Sequence, residues 1–317
     1  MPPVTQTTTA STLMLVDSAT VYYRSFYALP ESMTAPNGHP NNAIRGFLDS
    51  LARLVQSAGP GGLICAWDGD WRPQFRIDAW PGYKAHRVAD DGGEEEPDTL
   101  GPQVTALADV LDALGICRLA HPDYEADDIL ATAAAHAQAL GYARADIVTS
   151  DRDLFQCVDD AAAVRVLSIA KGVAKPEMID GSEVLSRYSV TAPQYRDFAT
   201  MRGDASDGMP GVPGIGEKTA AALLSEFGTL TAIREAAADA SSSMKPGVRK
   251  KLLDAESSLD ALTLVTTVVR DVPLGEVWPD LPATVHDETR LGDLCDEWGI
   301  RHAVRQLMAI THADKHA

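Results

Sequence analysis

The chain is poor in cysteine, with four residues among 317, at positions 65, 117, 157 and 295, and no Cys-x-x-Cys pair. Thiols this scattered argue against a zinc site and fit reduced cysteines in a cytosolic protein. Long apolar runs are also missing. No window approaches eighteen apolar residues, so neither a membrane span nor a membrane partner is expected. Residues 1–12, MPPVTQTTTAST, have neither a basic start nor an apolar stretch, which argues against a signal peptide and predicts a disordered tail. Positive charge is the third shortage: 27 Lys and Arg stand against 45 Asp and Glu, a net charge of −18. Such a balance argues against a nucleic-acid partner, which usually meets a basic face. It is acceptable for one only if carboxylates gather around divalent cations that neutralise them locally.

What is present is α/β patterning. LMLV (13–16), LICAW (63–67) and DIVTS (146–150) are short apolar runs, each followed by an aspartate: Asp17, Asp68 and Asp151. Short apolar runs separated by helical patterns predict a parallel sheet. Such sheets bind ligands beyond the carboxyl ends of their strands. Helical spacing is seen over 41–58, 102–114 and 124–140, and a further strand over 164–169. From 192 the pattern turns helical, with helices expected at 193–201, 216–227, 229–239, 246–255 and 257–265. The stretches 89–98 and 236–247 read as mobile connections. The length suits one large or two linked domains. The division expected is an α/β part over 13–190 and a helical part over 191–317.

Nine acids lie at the expected edges: Asp17, Asp68, Glu125, Asp127, Asp128, Asp151, Asp153, Asp204 and Asp207. On a helix, Glu125 and Asp128 share a face. Asp151 and Asp153 share a side if the backbone stays extended. Each acid alone reads as a helix cap or a solvated loop residue; YEADD, for instance, favours a helix start. Five clusters, three of them at strand ends, point instead to divalent cations. Oxygen ligands without His or Cys indicate Mg²⁺ or Mn²⁺. Two such ions about 4 Å apart can activate water and stabilise the leaving oxygen in phosphodiester cleavage.

Two further segments point to phosphate. GVPGIGEKTAAALL (211–224) sets Gly211, Gly214 and Gly216 ahead of a helix, with Lys218 in its first turn. It lacks the GxxxxGK[ST] pattern and reads as a hairpin between two helices, able to hold duplex backbone without reading sequence. WRPQFRIDAWPGYKAHR (71–87) interleaves Arg72, Arg76, Lys84 and Arg87 with Trp71, Phe75, Trp80 and Tyr83. That mixture suits a single strand or frayed end, though core packing of the aromatics is the ordinary alternative.

LMLVDSATVYYRSFYALP, AWDGDWRPQFRIDAWPGYKAHR, YEADDILAT, VTSDRDLFQCV and GDASDGMPGVPGIGEKTAAALL, in that order, resemble the bacterial 5′-nuclease family over residues 13 to about 270. This family includes flap endonucleases, 5′–3′ exonucleases and the N-terminal nuclease domain of DNA polymerase I. The resemblance implies a PIN-like three-layer α/β/α sandwich with a helical arch, followed by a helix-hairpin-helix subdomain (H3TH). It also implies two or more metal ions, with Asp17, Asp68, Glu125 and Asp127 around the first. Asp128, Asp151, Asp153, Asp204 and Asp207 then surround the second. Lys84 and Arg87, with Asp128 and Asp151, take the catalytic roles. Tyr83 is the base-stacking tyrosine, Arg76 and Arg87 guide the 5′ strand, and Arg24 joins the DNA-binding set. The loop 211–218 holds duplex phosphates, with a K⁺ on its carbonyls.

The implied substrates are 5′ flaps, nicks and RNA primers on DNA. The implied protein partners are a replicative clamp or DNA polymerase I, and the implied form is a stand-alone monomer on the cytoplasmic nucleoid. Two alternatives are a non-catalytic branched-DNA binding protein, which would normally lose acids, and a PIN-type ribonuclease, which would not need the duplex hairpin.

Overall fold

The computed structural model describes residues 11–90 and 92–312. Residues 1–10 of the expected tail lie outside them, and Thr12 belongs to the first strand. In chain order the first elements are β1 (Thr12–Asp17), α1 (Ser18–Ala28), α2 (Asn42–Ala58), β2 (Gly62–Ala66), α3 (Gln74–Ala79) and α4 (Gly101–Leu114). Next come β3 (Cys117–Leu119), α5 (Ala126–Ala135), β4 (Arg144–Thr149), β5 (Val164–Ser168), β6 (Glu177–Ile179) and α6 (Gly181–Tyr188). The rest is helical: α7 (Tyr195–Arg202), α8 (Glu217–Phe227), α9 (Leu230–Ala238), α10 (Pro246–Thr266), α11 (Glu288–Trp298) and α12 (Arg301–Thr311).

The sheet order is β3-β2-β1-β4-β5-β6, parallel except for β6. Side chains alternate across it, as the two-residue period of a strand requires. Leu13 and Leu15 face one helical layer, Met14 and Val16 the other. Strands buried on both faces read as unbroken apolar runs, which is why LMLV and LICA were legible. In α2, Ile44, Phe47, Leu48, Leu51, Leu54 and Val55 fall on the buried face, and Gly59 at φ +56° ends the helix.

The structure departs from the expected elements at four places. α10 is one 21-residue helix without a break, because Leu252, Ala255, Leu259, Leu262 and Val265 keep a single helical stripe in the core. At the expected connection 89–98, Glu95 N–H bonds Arg87 O (2.7 Å) and Ala89 N–H bonds Gly93 O (2.9 Å), which ties these described residues back onto the chain. The excursion between β2 and α4, where Arg76, Lys84 and Arg87 are expected to stand on a helical arch, holds α3 and a short 3-10 turn at Ala85–Arg87 among the described residues. Finally, α11 and α12 do not extend the helical part over 191–317. Leu294, Trp298, Val304 and Leu307 join the core layer of α1, α2 and α4, so α11 and α12 close over the sheet.

Candidate active site at the carboxyl edge of the sheet

Strands β2, β1 and β4 are neighbours and parallel, so their ends bring Asp68, Asp17 and Asp151 to one edge. Asp17 ends β1 and caps α1, accepting from Thr20 N–H (3.0 Å) and from the Thr149 hydroxyl (2.7 Å). Asp68 accepts from Ala126 N–H at 2.8 Å, which ties β2 to the start of α5. Burial pushes Asp68 up to about 7; Glu125 and Asp17 add to the rise, while the Ala126 N–H and Lys84 oppose it.

The Asp127 side chain makes no hydrogen bond among the described residues. Burial first, then Asp151, Asp17 and Glu125, holds it well above the usual carboxylate range against the pull of Lys84. Asp151 stands at the exposed rim. The protein packed behind it, then Asp207 and Asp17, push it to about 6, against Asp153 N–H and Lys84. Asp153 does not continue an extended strand beside it. The chain turns at Asp151, which accepts from Asp153 N–H at 2.8 Å, and Asp153 opens the 3-10 turn Asp153–Cys157. Burial and Asp151 raise Asp153 well above normal, with Arg202 opposing, and its Oδ1 is buried without a hydrogen bond. Asp204 accepts from Ser206 N–H (2.8 Å); burial raises it, but the Ser206 bonds, Arg202 and Arg152 outweigh that and hold it low. Among the described residues no three Asp, Glu, His or Cys side chains close into a ready metal cage. The acids crowd one another without collapsing onto a point.

The second layer of the site corrects several expectations. Glu125 and Asp128 form a reciprocal capping box at the start of α5, so the helix-start reading of YEADD holds. Asp128 is fully buried. It accepts from both guanidinium nitrogens of Arg76 (2.8 and 2.7 Å) and from Val269 N–H (2.8 Å). It is a structural anion, not a ligand at the edge. Arg76 is 2% exposed and also bonds Glu125. It guides no strand, because the two carboxylates at the α5 start draw it inward as a buried counter-ion. Tyr83 is 4% exposed, packs against Met209, Leu262 and Val265, and donates its hydroxyl to Glu125 at 2.8 Å. A buried ring has no face to offer a base. Arg24, half-buried, donates to the carbonyls of Ile169 and Ala170, both at 2.6 Å, pinning α1 to the end of β5.

Lys84 and Arg87 do reach the acids. Lys84, in the left-handed region at φ +48°, places its Nζ on Glu125 and on Trp71 O (3.1 Å). Burial lowers its pKa, but Glu125 leads a larger opposing pull and it stays well above normal. Arg87 bonds Asp207 and Ser206 O, both at 2.7 Å. The excursion thus lies on the 204–208 turn, with Trp80 Nε1 on Gly208 O (3.1 Å) and Lys84 N–H on Asp207 O (2.9 Å). Gly203 and Gly211, at φ +76° and +60°, pass so close that a Cβ on Gly203 would sit 2.5 Å from Gly211 N. That crossing turns the chain from the acids into the hairpin loop. Gly214 (φ +80°) and Gly216 follow at the loop surface, and Lys218 is exposed in the first turn of α8.

Sequence reasoning missed Arg202, which lies between Asp153 and Asp204 at 3.6 and 3.5 Å. The signal was a basic residue directly before Gly203-Asp204.

Residues 12–189 match the family model for the 5′-3′ exonuclease N-terminal resolvase-like domain, and residues 190–289 that for the 5′-3′ exonuclease C-terminal SAM fold. A 5′-3′ exonuclease of Streptomyces coelicolor is 45% identical over 300 residues, covering 93% of this chain and 98% of that protein. DNA polymerase I of Mycobacterium tuberculosis is 36% identical over 291 residues, 92% of this chain and 31% of the polymerase. The crystal structure of bacteriophage T5 D15 protein co-crystallised with metal ions shares the fold. Its TM-score is 0.65 at 18% identity, over 95% of this chain and 100% of that one. With both halves matched in order and the acids gathered at one sheet edge, the chain belongs to the 5′–3′ exonuclease family.

Proposed function

We infer that the chain is a divalent-metal-dependent, structure-specific 5′ nuclease that hydrolyses phosphodiesters in 5′-flap, nicked or RNA-primed DNA during replication and repair. The observation that carries this is the unpaired negative charge where β2, β1 and β4 end. The Asp127 side chain has no hydrogen bond among the described residues, Asp153 Oδ1 is buried without one, and Asp68, Asp127, Asp151 and Asp153 are all raised by burial first and then by neighbouring carboxylates. Crowded carboxylates with only oxygen donors fit hard divalent cations, Mg²⁺ or Mn²⁺. Asp17, Asp68, Asp127, Asp151 and Asp153 are the residues that would hold them, with Asp204 and Asp207 behind. Bound ions supply water activation and stabilisation of the leaving oxygen.

The chain's own residues do the rest. Lys84, its pKa held high, stays protonated at working pH and serves as a fixed cation for the scissile phosphate and not as a proton donor. Arg87 positions the phosphate from the other side while its bond to Asp207 ties the excursion to the 204–208 turn. Gly214, Gly216 and Lys218 face solvent where duplex backbone would lie. A K⁺ on this loop would share some of its carbonyls with bonds already made. Val212 O accepts from Ile215 N–H (2.9 Å), Gly214 O from Lys251 Nζ (2.8 Å), and Gly216 O from Thr219 and Ala220 N–H (3.0 Å each). A clamp or DNA polymerase I as protein partner and a monomeric working form on the nucleoid follow from the family reading. No helix among the described residues is long and apolar enough to cross a membrane.

The test is purified protein with a labelled 5′-flap duplex in Mg²⁺, Mn²⁺ or EDTA. Metal-dependent release of the flap near the junction is expected. Binding without cleavage in either metal would mark a non-catalytic branched-DNA binder, and cleavage of all-RNA in preference to flap DNA a ribonuclease.

A further inference from the structure

Between the acid edge and the hairpin loop lies an open pocket of about 690 Å³ whose polar wall is made by Arg202, Arg152, Asp204 and Ser206. Arg202 is unusual there. Its side chain is 9% exposed, yet neither terminal guanidinium nitrogen makes a hydrogen bond; only Nε–H is used, on Gly203 O at 3.0 Å. The Tyr195 hydroxyl lies beside it and is the neutral group nearest to its charge. One terminal nitrogen, NH2, stands 3.6 Å from Asp153 and 3.5 Å from Asp204, which balances charge without forming a bond. A guanidinium has five donors in a planar fork; here the fork lies over the Phe198 ring, 5.6 Å from its centroid, and its terminal nitrogens meet the neighbouring acids only at long range, which leaves capacity for a closer acceptor. Arg152 stands half-exposed over the same pocket, and its one ion pair among the described residues is a 3.8 Å contact to Glu217 at the start of α8. Two guanidiniums, one preset and buried, one free to swing, match the bidentate recognition of a tetrahedral oxyanion.

We propose that Arg202 and Arg152 form a phosphate seat for the bound strand, one that takes a backbone phosphodiester lying between the scissile position and the hairpin loop. This rests on the nuclease reading and adds to it a contact that fixes the strand's path. A strand running from the Asp151–Asp153 edge to Gly214–Gly216 passes this pocket, since Arg202 touches the acids and Arg152 touches the first turn of α8. Cations held by Asp153 and Asp204 would remove the local repulsion that those two carboxylates exert on a phosphate.

The experiment is flap-duplex binding by fluorescence anisotropy across a salt series, in Ca²⁺ and in EDTA, for wild type, Arg152→Ala and Arg202→Lys, with Lys171→Ala as a remote control. Each lost phosphate contact lowers the slope of log affinity on log salt by about 0.7 to 0.9. Arg152→Ala should show that loss and bind roughly five- to tenfold more weakly. Arg202→Lys keeps charge but not the fork, and should weaken binding while melting as wild type does. Duplexes carrying one neutral methylphosphonate at successive positions then map the contact. A single position should weaken wild type yet leave Arg152→Ala unchanged. A wild-type slope in Arg152→Ala and wild-type affinity in Arg202→Lys, with no such position, would overturn the seat while leaving the nuclease reading intact. Stabilisation of wild type but not of the variants by millimolar inorganic phosphate, with DNA binding unaltered, would make it a free-phosphate site and overturn the strand assignment. Failure of wild type to bind flap DNA at low salt would overturn both this inference and the nuclease reading.

Discussion

Asp151 is the residue on which the chemistry turns most directly. It stands at the rim, has Asp17 and Asp207 near it, and contributes nothing to the core. Asp151→Asn is expected to lower cleavage about a hundredfold or more, since each tenfold is only 1.36 kcal/mol of transition-state stabilisation. Flap binding in EDTA should be unchanged or slightly tighter, because a negative charge is removed. Retained full turnover in a single-turnover assay would remove Asp151 from the metal set. Asp68 gives a pH signature instead. Its folded pKa is raised to about 7, above the ordinary carboxylate value, so the folded state binds its proton more tightly than the unfolded chain does. The stability tied to that proton is full in acid, below the unfolded value near 4, and is lost as pH rises through about 7. Metal-free wild type and Asp68→Asn, melted from pH 4.5 to 8, should therefore diverge. The variant becomes relatively more stable as pH rises, and parallel curves would contradict the raised pKa.

At the scale of elements, the join that matters is where α3, α5 and the end of α10 meet. Arg76 bonds Glu125 and Asp128, while Val269 N–H, just beyond α10, reaches Asp128 at 2.8 Å. The 21 residues of α10 span about 31 Å at 1.5 Å per residue. At its other end Lys251 donates to Gly214 O. One helix thus runs from the hairpin loop to the helix start that carries Asp127, setting the spacing between held duplex and acids. Arg76→Met leaves two buried carboxylates without their cation. It is expected to destabilise by about 3–5 kcal/mol, because breaking a buried pair strands its partner. Urea unfolding followed by circular dichroism measures this. A loss under about 1 kcal/mol would show that Tyr83 and Lys84 alone suffice for Glu125.

Over the whole molecule, α11 and α12 fold back onto the sheet's helical layer. Trp298 is 5% exposed and Leu307 fully buried, and both sit in the same core as Phe47 and Leu51. The connecting stretch also runs beside β2, with Leu63 N–H on Pro279 O (2.7 Å) and Leu281 N–H on Gly61 O (2.9 Å). Truncation after His286 is therefore expected to destabilise the α/β part itself. Each large apolar side chain uncovered costs about 1.5–3 kcal/mol. A melting temperature lower by 10 °C or more, or insoluble protein, is the expected result. Melting at the full-length temperature would show that these helices are dispensable to the core.

The amino-acid sequence by itself determined the strand ends and their aspartates, because strands buried on both faces need unbroken apolar runs and polar residues begin where burial stops. It determined most of the helices, through the 3.6-residue stripe, and the glycine turn after Asp207, through positions that tolerate positive φ. It did not decide which charged residues face solvent. Arg76 and Asp128 look in sequence like Arg87 and Asp127, for their charges are the same, and Tyr83 looks like any exposed tyrosine. Only the packing of α3 over the start of α5 made Arg76, Asp128 and Tyr83 a buried network and left Asp127 at the acid edge. The return of α11 and α12 was equally invisible, since an amphipathic helix states that it has an apolar face but not which core that face will meet.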